Sequence, residues 1–135
     1  MRTRLTVAVA SLAGLLITAV PVVAHHSFAA EYDASKPIKL TGTVTKIEWT
    51  NPHCFFYIDV KNEESGKIEN WAFELGNPNA LLRNGWTPNS VKIGETVTVE
   101  GTRAKDGANL GNARTMILVS TGRRLFAGSS QTTNP

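Results

Sequence analysis

An all-β domain with one short inserted helix is predicted by three features of the sequence. Five segments between residues 38 and 120 are rich in β-branched and aromatic residues that alternate with polar ones. Clusters of Asn, Pro and Gly separate those segments. A single stretch within that span, residues 77–84, carries helix start and stop signals.

The elements follow in order. Residues 38–49 (IKLTGTVTKIEW) form the first strand, with Ile38, Leu40 and Val44 on one face. The pattern then shifts to Ile47 and Trp49, which implies a bulge or bend, with Gly42 as a permissive point. Asn51-Pro52 makes a turn. Residues 53–61 (HCFFYIDVK) form the second strand, and 62–66 a polar hairpin loop. Residues 67–75 (KIENWAFEL) form the third, with Trp71, Phe73 and Leu75 to one side. Asn77 is a suitable N-cap and Pro78 a suitable first helical residue for 77–84, and Gly85 ends that helix. Residues 95–103 and 113–120 form the fourth and fifth strands, with Val97 and Val99 inward. Leu125-Phe126 is a short apolar patch expected to pack back on the body.

Three strands, a helix, then two strands, with a long bent first strand, is the order of a five-stranded OB-like barrel. Closure would bury Val44, Phe56, Ile58, Trp71, Phe73, Val97, Val99 and Ile117 together. A different small β-sandwich is the alternative. The barrel domain is expected over residues 38–127, after a lead-in at 25–37 and before a polar, disordered tail at 128–135.

The N-terminus reads as a secretory signal. Arg2 and Arg4 precede an uncharged apolar run from Leu5 to Val20, and Pro21-Val22-Val23-Ala24 ends in a cleavage edge after Ala24. The run is short for a membrane span, which needs about 20 apolar residues. The expected location is therefore periplasmic or secreted, with no membrane attachment after cleavage. Loss of Arg2 and Arg4 leaves 12 basic against 11 acidic residues. A chain so nearly neutral lacks the electrostatic footprint of a nucleic-acid binder. Cys54 is the lone cysteine, so no internal disulfide forms. It shares strand parity with Phe56, Ile58 and Val60 and reads as a buried thiol. A monomer is expected.

Several stretches carry a family likeness. They are HHSFAAEYD (25–33), GTVTKIEWTNPH (42–53), NWAFELGNPNALLRNGW (70–86), VTVEGTRAKDGANLGNAR (97–114) and GRRLFAGSS (122–130). On these the chain resembles a family of small exported bacterial proteins, domain of unknown function 6152. The resemblance implies export and a compact β domain, and it supplies no active site.

The chemistry must come from the residues. The histidines are His25, His26 and His53. Cleavage after Ala24 makes His25 the first residue, able to offer its α-amine and imidazole to one ion. His25 to Pro37 and Ile38 to Thr50 each span 12 steps. A lead-in folded back antiparallel along the first strand would set His25 beside His53, at about 3.3 Å per residue. Three imidazoles and an amine suit Cu(II), with Zn(II) or Ni(II) as lesser options. Glu31 or Asp33 could accept from an imidazole N–H. The bland reading is a frayed terminus and a turn histidine that bonds a backbone carbonyl.

The opposite face of the second strand carries His53, Phe55, Tyr57 and Asp59. Phe55 and Tyr57 could receive an exported protein, a peptide or a glycan, making the chain an interaction module; packed rings under the lead-in or tail are the competing reading. No catalytic constellation is present: no nucleophile has a base and orienting group, and Cys-x-x-Cys and His-Glu-x-x-His spacings are absent. The expectation is a non-enzymatic binding protein.

Overall fold

The computed structural model describes residues 28–128; the expected signal peptide, His25, His26 and nearly all of the expected tail lie outside them. The described residues form α1 (Phe28–Glu31), β1 (Tyr32–Glu48), β2 (Phe55–Lys61), β3 (Ile68–Glu74), α2 (Pro78–Arg83), β4 (Thr96–Ala104), β5 (Leu110–Leu118) and β6 (Arg124–Phe126). The protein is all-β with two short helices.

The strands pair in the order β3-β2-β1-β4-β5-β6, and a further β3–β5 pairing links the first five strands in a ring. That last pairing is parallel, Ala72 to Glu74 against Leu110 to Asn112, and the others are antiparallel. The long β1 serves two neighbours: Tyr32 to Thr43 pairs with β4, and Thr43 to Glu48 pairs with β2. The hand-over needs a close backbone approach. A Cβ on Gly42 would lie 2.3 Å from the Asp59 carbonyl oxygen. The register slips between Val44 and Lys46, so the bulge sits at Thr45 rather than at Gly42. This slip is what moves the buried set from Val44 to Ile47.

The core contains Val44, Phe56, Ile58, Trp71, Phe73, Leu75, Val97 and Val99, as the alternation predicts. Ile117 is a correction. Met116 and Leu118 are buried instead, because the β4–β5 register shifts between Glu100 and Gly101 and inverts the parity. Helix α2 is built as its sequence predicts: the Asn77 side chain accepts from Ala80 N at 2.8 Å, and Gly85 follows at φ +86°. Leu125 is buried within β6, a strand the sequence suggested only as an apolar patch. The Trp86 indole donates to the Phe126 carbonyl at 2.7 Å, tying the end of β6 down beside α2.

The lead-in is a second correction. Tyr32 and Pro37 pair with Ala104 and Thr102 of β4, so residues 32–37 extend β1 and do not double back along it. Four residues bulge out between those pairs, stabilised where Ser35 N and Oγ both donate to Asp33 Oδ1. The bulge leaves Tyr32 buried, at 2% exposure.

Candidate functional site

His53 precedes β2 in a turn whose Asn51–Pro52 peptide is cis. The turn is held to β3 from the next residue. Cys54 N donates to Gly76 O at 3.0 Å, and Leu75 N donates to Cys54 O at 2.9 Å. This pairing sets His53 beside Glu74, the last residue of β3. His53 Nδ1 lies 3.5 Å from Glu74 Oε1. That is long for a hydrogen bond and within range of an ion pair. Nδ1 is buried, yet the side chain is 42% exposed, so its exposure lies on the other ring atoms.

Glu74 has the opposite strand parity from Phe73 and Leu75, so it projects from the outer face of the ring. It is nevertheless only 9% exposed. Tyr32 covers it, donating its hydroxyl to Glu74 Oε2 at 2.6 Å. Burial, then the hydrogen bond to Glu74, pushes the Tyr32 phenol far above its ordinary range, so it stays a donor. The Phe28 ring stacks on Tyr32 at 5.5 Å and 17°. Glu31 O accepts from Lys105 N at 3.0 Å, which fixes α1 against the β4–β5 loop. Asn112 pairs with Glu74 in the parallel β3–β5 register. Its side chain is fully buried, and its amide bears on the Tyr32 hydroxyl, opposing the upward shift of that phenol without meeting hydrogen-bond geometry. The cluster therefore joins an imidazole, a carboxylate, a phenol and an amide at one end of the outer face.

Phe55 and Tyr57 lie on that same face, and both are half-buried. Phe55 is directly opposite Glu74 in the β2–β3 register. Tyr57 donates to Glu48 Oε2 at 2.9 Å, and Lys46 Nζ stands 5.0 Å from its ring centroid. The bond to Glu48 raises the Tyr57 phenol, and Lys46 followed by Tyr57 holds the Glu48 carboxyl below its ordinary value. Tyr57 is thus partly engaged by its own strands. Cys54 is fully buried on the core side, and desolvation raises its thiol. It is placed away from His53 chemistry, as the strand parity predicts.

Among the described residues no group of three or more His, Cys, Asp or Glu side chains is placed to hold a metal ion. His53 and Glu74 are a pair, and His25 and His26 fall outside residues 28–128. The importance of Tyr32, Glu74 and Asn112 is missed by the sequence reading. Glu74 alternates with apolar residues like a solvated strand position, and its partner Tyr32 is 42 residues away. One faint signal is Asn112 itself, a polar residue set between Gly111 and Ala113.

Residues 12–113 match the model of the family of unknown function DUF6152. The chain belongs to that family. The match spans most of the chain and takes in His25, His26, His53, Glu74 and Asn112. No curated protein matches the chain. No helix among the described residues is long and apolar enough to cross a membrane.

Proposed function

We propose that this DUF6152 member is an exported, non-enzymatic binding protein that takes Cu(II) through His25, His26 and His53. The amine and imidazole of His25 at a processed N-terminus supply two donors, and His26 and His53 supply the others. The observation that carries the reading is the asymmetry of His53. A ligating imidazole characteristically directs its second nitrogen at a carboxylate, which fixes its tautomer and raises its basicity. Buried Nδ1 facing Glu74 and an otherwise half-exposed ring fit that role. The lead-in also approaches from a favourable direction. Tyr32 touches the same carboxylate, and from Phe28 back to His25 the chain can reach about 10 Å when extended.

The parallel β3–β5 pairing and the shared β1 support reading the ring as an OB-like barrel. In that architecture the outer face of strands two and three and the adjoining loops are the usual ligand surface. The His53 turn, Phe55, Tyr57 and Glu74 occupy the corresponding place. The export reading rests on residues 1–24.

The test is a Cu(II) titration of protein processed to His25, its terminus confirmed by intact mass, read by calorimetry and electron paramagnetic resonance. Protein extended by Met before His25 and the His53→Ala variant run beside it. Submicromolar binding with nitrogen hyperfine structure, lost in both controls, is expected. Weak binding that survives both changes would overturn the metal reading, and the Phe55–Tyr57 face would then be the place to seek an exported partner.

A further inference from the structure

We infer that Glu74 is a two-sided positioning residue, whose carboxylate couples docking of the N-terminal segment, through Tyr32, to the orientation of His53. The inference rests on the metal-binding reading above and adds to it a residue outside the three histidines.

An ionised carboxylate only accepts hydrogen bonds. Each oxygen of Glu74 faces a different group: Oε2 the Tyr32 hydroxyl at 2.6 Å, Oε1 the His53 Nδ1 at 3.5 Å. A carboxylate so deeply buried needs hydrogens from what surrounds it. Tyr32 brings one. The favourable form of neutral His53 brings the other by carrying its proton on Nδ1, which leaves the Nε2 lone pair free for an ion. A cation on Nε2 would make the Nδ1–H a stronger donor toward Glu74. Asn112 does not substitute for these donors, since its amide bears on the Tyr32 hydroxyl and makes no hydrogen bond to Glu74.

The same carboxylate holds the incoming chain. Tyr32 lies six residues after His26, and Phe28 stacks on it. Undocking the Tyr32 ring would strip Glu74 of its shorter bond and leave α1 held only from the β4 side, by Lys105 N on Glu31 O and by the Tyr32–Ala104 pairing. The N-terminal donors would then bind an ion apart from His53. Glutamine cannot replace the carboxylate, because its amide presents one acceptor and one donor where two acceptors are needed.

Two measurements test this on protein processed to His25. In metal-free protein, imidazole 15N shifts report the His53 tautomer. The Nδ1–H form is expected for the native chain, with a shift toward Nε2–H in Glu74→Gln. A native Nε2–H form would overturn the inference without any variant needing to fold. With Cu(II), Glu74→Gln and Tyr32→Phe are each expected to weaken binding by about 10–100-fold. The paramagnetic spectrum should lose the His53 nitrogen and keep the terminal amine and imidazole. Native binding that needs His53 yet is unchanged in both variants overturns the role of Glu74 and leaves the metal site standing. Native binding indifferent to His53 overturns both.

Discussion

Gly42→Ala sets two effects of opposite sign against each other. Gly42 lies in β1 opposite Val97, where β1 passes from β4 to β2. An added Cβ would stand 2.3 Å from Asp59 O, 3.0 Å from Asp59 C and 3.1 Å from Val60 Cγ2. An ordinary carbon–oxygen contact is about 3.3 Å. The backbone of β2 must therefore retreat by roughly 1 Å while its pairing with β1 is kept. Overpacking of this kind costs typically ~1–3 kcal/mol. Alanine recovers ~0.4–1 kcal/mol by restricting the unfolded chain. The steric cost wins, leaving a net loss of about 1–2 kcal/mol. For a domain of this size each kcal/mol moves Tm by about 4–8 °C, so a fall of roughly 5–15 °C is expected. Urea unfolding followed by tryptophan fluorescence gives the free energy, and calorimetry gives Tm. A variant as stable as the native chain, or more stable, would refute the close approach.

Two further predictions concern Glu100 and Cys54. Glu100 is held down to about 2 by its hydrogen bond from Arg124, then by Thr115 and Lys39, across β6, β5 and β1. A depressed carboxyl stabilises the fold above its unfolded value, near 4.3, and that contribution fades as pH falls toward 2. Acid titrations of unfolding should show a steeper loss between about pH 4.5 and 2 for the native chain than for Glu100→Gln; identical slopes would show that the network contributes nothing. Cys54 is fully buried, and its thiol is raised by desolvation. An aromatic disulfide reagent should modify it only as fast as the protein opens, with full reactivity in urea. Complete labelling of the folded protein within seconds would contradict the burial.

The all-β pattern with a capped helix is legible because strand alternation and turn chemistry are local. Trp71, Phe73 and Leu75 point inward as written in the sequence, and Asn77-Pro78 starts a helix wherever it stands free to do so. The errors came where pairing partners shift register. Ile117 lost its core position to Met116 and Leu118 through a bulge between Glu100 and Gly101, which depends on how β4 meets β5. The matched segment lengths would allow the lead-in to double back along β1; residues 32–37 instead continue β1 along β4. Pro37 did not end the strand at its start, because residues 33–36 loop out and Tyr32 re-enters the sheet.

By itself the sequence determined the alternation that builds the core, the capped helix, the buried Cys54 and the set of histidines from which a metal site could be made. These follow from side-chain period and backbone chemistry within a few residues. Only the tertiary structure decided that Glu74, written like a solvated strand residue, is a buried carboxyl group between Tyr32 and His53. The ring brings the start of β1, the end of β3 and the start of β5 to one place, and a carboxylate removed from water there must find its hydrogens in residues far away along the chain.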